Sequence, residues 1–342
     1  MVDLKSQYEK IKEEVNASIQ DVLENNTYIN GPLVHQFQAD LETYLGAKHV
    51  IPCANGTDAL QIAMMGLGLQ PGDEVITADF TFAATVEVIA LLQLTPVLVD
   101  VDMNNMNISL EGIRKAITPK TKAIVPVHLF GRAANMDAIM EIANEHNLYV
   151  IEDNAQAIGA DYTNKEGIKK KVGTIGHVAA TSFFPSKNLG CYGDGGAIFT
   201  NDDNLAHIIR GIVNHGMYER YHHDVVGVNS RLDSIQAGVL KAKLPHLDTY
   251  NRARQDAARK YSLALGVNPN IVAPTICESC DCHVFHQYVI RITNGKRDAL
   301  LAHLQEKGIP CAIYYPIPLH SQKAYADVRY KEEDFPVTNQ LC

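Results

Sequence analysis

Residues 74–102 read EVITADFTFAATVEVIALLQLTPVLVDVD. EVITADF is a short β-branched run. TFAATVEVIALLQL is long enough for a helix, and TPVLVDVD is a second apolar run. Apolar runs without alternation mark strands buried on both faces, and parallel strands need a crossover helix between them. The stretch therefore predicts a βαβ unit. The pattern continues on both sides. HVIPCAN (49–55) leads into TDALQIAMMGLGL (57–69), where Met64 and Met65 read as core packing. KAIVPVHLF (122–130) and LYVIEDN (148–154) follow at similar spacing. The expected fold class is α/β, with a mostly parallel sheet between helices.

The ends of the chain read differently. Over residues 1–45, Leu4, Tyr8, Ile11, Val15, Ile19, Val22 and Leu23 recur mostly at steps of three or four, which predicts helix. Past Leu244-Pro245-His246 a polar helix, LDTYNRARQDAARKYSLAL, is expected to end at Gly266. A loop, a strand (FHQYVIRIT, 285–293), a helix (KRDALLAHLQEKG, 296–308) and the Pro-rich YYPIPLH (314–320) follow. The expected division is a large α/β domain over 1–244 and a small α+β domain over 245–342. The stop at NQLC, with no capping helix expected there, suggests a missing terminal piece.

Composition narrows the classes of function. The chain has 342 residues, 46% hydrophobic and 20% charged, which is globular rather than disordered. Thirty Lys+Arg against 39 Asp+Glu give a net charge of −9, which argues against a general nucleic-acid binder. No apolar run approaches a membrane span, and the amphipathic start has no signal-peptide core. Seven cysteines, an odd number, read as reduced thiols in a cytoplasmic protein.

Three segments carry chemistry. In CANGTDALQIA a strand turns through Asn55-Gly56-Thr57 straight into a helix. A helix N-terminus behind a glycine is a phosphate cradle, with the Thr57 hydroxyl as a further donor. A plain helix capped by Thr57 or Asp58 gives the same letters. In YVIEDNAQAIGA, Asp153 lies just past the C-terminal end of an apolar strand, where open parallel sheets place ligands. Such a carboxylate binds a metal, orients a histidine, pairs with a pyridinium nitrogen or simply caps a helix, while Glu152 points to the other face. In TSFFPSKNLGCYGDGGAIFT, Lys187 stands alone among apolar and glycine residues. A desolvated amine of lowered pKa suits Schiff-base chemistry. The phosphate-lysine alternative lacks the GxxxxGK[ST] pattern.

Together these segments resemble the fold-type I pyridoxal-phosphate enzymes, and more narrowly the sugar-nucleotide aminotransferase family. The landmarks are GTDAL (56–60), TFAAT (81–85), EDNAQAIGA (152–160), SFFPSKNLG (182–190), GDGGA (193–197) and NSRLDSIQAGVL (229–240). The resemblance implies a seven-stranded sheet, pyridoxal 5'-phosphate as cofactor and a homodimer with shared active sites. It implies Lys187 as the lysine joined to the cofactor and Asp153 as partner of the pyridine nitrogen. Gln156 falls near the ring hydroxyl and Phe82 stacks on the ring. Gly56, Thr57 and Ser182 hold the phosphate, with Asn229 reaching the partner subunit's cofactor. Arg231 and Tyr315 fall in substrate-contacting segments, and His320 is a further substrate candidate.

The implied reaction moves an amino group from glutamate to a keto-sugar nucleotide. VDLKSQY, YINGP, YHHDVVGVNSRLD and YYPIPLHSQKAY are most similar to enzymes acting on a UDP-linked 3-oxo N-acetylglucosaminuronate for surface polysaccharide (O-antigen) synthesis. The alternatives are a dTDP-linked 3- or 4-keto-6-deoxyhexose, a PLP dehydratase or a non-catalytic protein on the same fold. Dehydratase relatives replace the lysine with histidine, whereas Lys187 is present. Other features read blandly. Cys277, Cys280, Cys282, His283 and His286 have spacing that would allow zinc, yet HVFHQYVI matches a strand the family uses without metal. No metal and solvent-facing thiols are expected. His222 and His223 read as a surface or entrance pair, and Lys169-Lys170-Lys171 as a solvated turn.

Overall fold

The computed structural model describes residues 3–275 and 282–342. Helices α1 (Leu4–Lys10), α2 (Lys12–Asn25) and α3 (Pro32–Leu45) come first. The helical N-terminus breaks at Ile11, whose φ is −124°, and again where Asn26 takes a left-handed φ of 53°. Pro32, whose fixed φ suits a first turn, restarts it. Then β1 (His49–Cys53), α4 (Gly56–Gly66), β2 (Glu74–Ala78), α5 (Ala84–Leu91), β3 (Thr95–Val99), α6 (Leu110–Ala116), β4 (Thr121–Val125), α7 (Met136–His146) and β5 (Tyr149–Asp153) alternate. A ribbon of β6 (Asp161–Thr163) and β7 (Lys169–Lys171) precedes β8 (Val178–Ser182), β9 (Gly196–Thr200) and α8 (Asp203–Ile212).

The seven-stranded sheet has the order β1-β9-β8-β5-β4-β2-β3. The pairs β2·β3, β2·β4, β4·β5 and β5·β8 are parallel, and β9 runs against both its neighbours. Side chains alternate between two covered faces. Ile51, Ile151, Val178 and Ala180 pack with α4, α5 and α8. Val50, Ala179 and Phe199 pack with α3 and with α9 (Ser234–Lys243), while Ile124 and Val150 pack with α6 and α7. Met64 is fully buried in the first cluster. The expected fold class holds.

Beyond residue 245 runs α10 (Leu247–Leu265), ending at Gly266 as expected. The strand expected over 285–293 shrinks to Arg291–Ile292, paired with Ile271–Val272. The backbone before it bonds instead to the turn at 130–133, so no sheet edge was left for it. A helix over Arg297–Glu306 matches expectation. The last residues are not bare: Pro336–Leu341 is helical, and Asp100 accepts from Val337 N, Thr338 N and Thr338 Oγ1. Tyr330 Oη donates to Pro96 O and accepts from Leu98 N, so this segment covers β3, the edge strand of the sheet.

The Lys169–Lys171 stretch is not a solvated turn. It is the β7 strand, where Lys171 Nζ donates to Gly159 O and both Lys169 and Lys171 pair with Asp161. Cys277 and Cys280 lie outside the described residues, but Cys282 is buried at 8% exposure rather than solvent-facing. No metal-holding group of three ligands occurs among the described residues. His222 and His223 do lie on the surface, in a ribbon with Met217–Glu219.

Candidate active site

In a parallel sheet all βα turns leave one edge, and here that edge gathers the motifs. Cys53 ends β1, Asp153 ends β5 and Ser182 ends β8, while Gly196 begins the antiparallel β9 beside them. The turn after β1 is capped by Asn55, whose side chain accepts from Asp58 N at 2.8 Å. Neither Thr57 nor Asp58 is the cap; the extended backbone of Asn55 aims its own amide oxygen at the first turn. Thr57 is thereby left with its hydroxyl on the first turn. A Cβ at Gly56 would lie 2.6 Å from Ser182 Cβ, and one at Gly196 would lie 2.4 Å from the Asn55 carbonyl. Only glycine permits this closeness, so α4's amide end and Ser182 share one cradle.

Asp153 and Glu152 diverge as strand alternation requires. Asp153 is 5% exposed, accepts from Thr85 Oγ1 at 2.8 Å and from Ala155 N at 3.1 Å. Burial raises its pKa; the Thr85 and Ala155 bonds and the Lys187 charge oppose this without cancelling it. Glu152, on the other face, is fully buried. It accepts from Gly173 N, Ile175 N and Gly176 N at 2.6–2.7 Å and from His128 Nε2 at 2.9 Å. Burial pushes this carboxyl up, but the His128 and amide bonds outweigh it and hold it below the usual range. His128 Nδ1 accepts from Ala134 N, so its Nε2 carries the hydrogen given to Glu152.

Lys187 is half-buried in the loop after β8, and its amine has no hydrogen-bond partner among the described residues. Burial lowers its pKa from 10.5 to about 8, against the pull of Asp153. Gln156 Oε1 accepts from Phe130 N at 2.6 Å, and its Nε2 donates to Tyr315 Oη at 3.3 Å. Tyr315 packs on Phe80 and Phe130, and burial raises its pKa. Phe82, by contrast, is 58% exposed in the turn after β2. Asn229 is exposed, bridged to Asn214, and Arg231 is half-buried with no ion-pair partner among the described residues.

His320 lies beside the end of β2. It is buried, bonded through Nδ1 to Asp79 Oδ2 at 2.6 Å and stacked on Phe335. Its setting is the docked C-terminal segment. The sequence reading missed Thr85 and His128. Thr85 lay in the quoted TFAAT motif one helical turn from Phe82, and a hydroxyl facing an apolar strand end was the available signal.

The DegT/DnrJ/EryC1/StrS aminotransferase family model matches residues 9–342. The chain belongs to this family. It is 49% identical over 330 residues to the UDP-2-acetamido-2-deoxy-3-oxo-D-glucuronate aminotransferase of Pseudomonas aeruginosa, covering 96% of this chain and 89% of the relative. It is 48% identical over 338 residues to a pleiotropic regulatory protein of Geobacillus stearothermophilus, covering 98% and 89%. Among solved structures, NtdA from Bacillus subtilis with its cofactor PMP bound aligns at a TM-score of 0.87 and 31% identity, over 97% of this chain and 75% of that one. The chain is a PLP-dependent aminotransferase. The site fits that cofactor: it offers a glycine cradle at a helix N-terminus, an unpartnered amine, a buried acid and an exposed aromatic ring. No helix among the described residues is long and apolar enough to cross a membrane.

Proposed function

We propose that this aminotransferase moves the amino group of glutamate to UDP-2-acetamido-2-deoxy-3-oxo-D-glucuronate in the cytoplasm, for a diacetamido sugar of surface polysaccharide. The observation that carries the site reading is the Lys187 amine, without a hydrogen-bond partner among the described residues and within the charge field of Asp153 at the sheet edge. The substrate rests on the 49% identity to the Pseudomonas enzyme. PLP, when bound, supplies an electron sink for the substrate's carbon–hydrogen electron pair.

The chain's residues do the rest. Gly56, Thr57 and Ser182 hold the phosphate. Asp153 keeps the proton on the pyridine nitrogen, and Thr85 orients that carboxylate. Gln156 meets the ring hydroxyl and Phe82 covers the ring. Lys187 Nζ joins the cofactor and, once freed, moves the proton between donor and product carbons; at a pKa of about 8, about a tenth of the amine is neutral at pH 7 and can accept it, far more than for an ordinary lysine. Arg231 holds the uronate carboxylate with its planar fork, and Tyr315 and His320 belong to the substrate side. Residues 1–244 act as the cofactor-binding domain and 245–342 as the smaller one.

Asn229 serves the partner subunit's phosphate in a homodimer. Its exposure supports this, as do the exposed Tyr28, Ile29 and Tyr192 on segments bonded to residues 233–236. A regulatory role, as one relative's name suggests, would leave Lys187 and Asp153 without a task.

The test is a panel of keto-sugar nucleotides with glutamate, products read by mass, on wild type and Arg231→Lys. The 3-oxo uronate should be preferred over its 6-hydroxymethyl analogue by about 2 kcal/mol, and the lysine variant should lose that preference. Activity only on a dTDP-linked 4-keto-6-deoxyhexose would refute the substrate.

A further inference from the structure

The loop that carries Lys187 is fastened along one face of α9. It leaves β8 and folds back on itself: Lys187 N donates to Phe184 O and Cys191 N to Phe183 O, each at 2.8 Å. Gly190 closes the turn, where a Cβ would lie 2.4 Å from Pro185 O. Asn188 ties the inner side, donating to Val284 O at 3.0 Å and to Asn251 Oδ1 at 2.7 Å. The returning arm, residues 189–193, meets α9. Gln236, Leu240 and Lys243 stand four and three positions apart there, on one helix face. Gln236 Oε1 accepts from Tyr192 N at 2.8 Å, and Leu240 shares a core cluster with Leu189 and Cys191. Lys243 Nζ donates to Gly190 O at 2.6 Å.

Lys243 is the anomaly in this contact. It is 1% exposed, and no carboxylate pairs with it among the described residues. The neighbouring Cys191 thiol is no substitute anion. It donates to Phe183 O and Gly193 O, and burial pushes its pKa up to about 11. What faces the ammonium is the Gly190 carbonyl and the ring of Tyr192, whose centre lies 4.2 Å away. A buried charge without a counter-ion is among the costliest groups a core can hold, and an apolar side chain of similar length fills such a space without that cost. Burial accordingly lowers the lysine pKa to about 8. Packing alone therefore gives no reason for a lysine here, whereas its bond to the Lys187 loop does.

We propose that Lys243 is a positioning residue for Lys187: by gripping the Gly190 carbonyl it holds the closed turn against α9 and so fixes where the Lys187 stem begins. The inference rests on the reading of Lys187 as the cofactor lysine. Lys187 lies three residues before Gly190, inside the turn that the grip closes. Its amine has no hydrogen-bond partner of its own among the described residues, so its place is set by the backbone from which it springs. A charged donor suits the grip because its hydrogen bond to a buried carbonyl is stronger than a neutral one. The same helix follows directly on Asn229-Ser230-Arg231, with Leu232 packed beside Phe183 and Cys191 in one core cluster. One rigid element thus sets the spacing between the lysine loop and that segment.

The test reads the loop directly, by hydrogen–deuterium exchange of the cofactor-free chain with peptide mass spectrometry, in wild type, Lys243→Met and Lys243→Arg. The methionine variant should exchange the Lys187 and Cys191 amides faster by about tenfold or more, while peptides from β4 and β5 stay as in wild type. Arginine keeps the charge and the donors and should restore most of the protection. Kinetics of the holoenzyme give the matching split: Lys243→Met should lower kcat about tenfold and leave KM for glutamate within about twofold. Unchanged exchange in the methionine variant, equal loss in both variants, or faster exchange spread over the whole chain overturns the proposal. If the methionine variant does not fold, acetylation of wild type decides. Lys243 should resist labelling at least as well as the loop amides resist exchange, and a labelled Lys243 under a still-protected loop overturns the grip. Borohydride reduction of the holoenzyme separates the two readings: cofactor fixed elsewhere than Lys187 sinks the site itself and leaves the exchange result standing.

Discussion

Replacing Lys187 with methionine should stabilise the cofactor-free protein, and the gain should depend on pH in a defined direction. Folding lowers the lysine pKa from 10.5 to about 8, chiefly by burial. At one unit per 1.36 kcal/mol, that depression corresponds to about 3 kcal/mol. The sign follows from linkage. Below about pH 8 the amine is charged in both states, and the folded state bears the full desolvation cost. Between about pH 8 and 10.5 the folded amine loses its proton first, and the cost disappears. Methionine has similar length and no charge, so Lys187→Met should gain about 2–3 kcal/mol at pH 7, and roughly three quarters of that should be lost by about pH 10. Removing the lysine also deprives Asp153 of a favourable charge, which trims the gain. The assay is chemical denaturation of both apo-proteins at the two pH values. Other groups titrate alike in both, so the difference between the differences isolates Lys187. Equal relative stability at pH 7 and pH 10 would refute the claim that this amine is held desolvated.

Gly56→Ala would place a methyl 2.6 Å from Ser182 Cβ, pushing α4 away from β8. It should cost about 1–3 kcal/mol of stability and weaken cofactor binding tenfold or more by absorbance titration; wild-type affinity would remove the cradle from this turn. Mixing inactive Lys187→Ala with inactive Asn229→Ala subunits should restore part of the turnover, because a hybrid dimer carries one intact shared site. No recovery after demonstrated subunit exchange would place Asn229 with its own chain's cofactor.

The alternation of apolar runs and helices fixed the sheet's existence from local pattern alone, since a strand buried on both faces has few other sequence solutions. The same local logic exposed Asp153, at the end of such a strand, and Lys187, a charge without a solvated neighbourhood. It also separated Glu152 from Asp153, because successive strand residues must face opposite ways. Partnerships across long chain separations were invisible to it. Thr85 meets Asp153 across 68 positions, and His320 meets Asp79 across 241. FHQYVIRIT has strand propensity throughout, yet only Arg291–Ile292 pairs as strand and Gln287 bonds to the 130–133 turn, because β-propensity says only that a segment can be extended and not which edge is vacant. The lysine run showed the same gap: three charges read as solvent, until Asp161 on a facing strand gave Lys169 and Lys171 a partner. Sequence thus determined which residues could do the chemistry. The tertiary structure decided which groups surround them, and therefore how their protons are held, because burial and pairing exist only once distant segments have met.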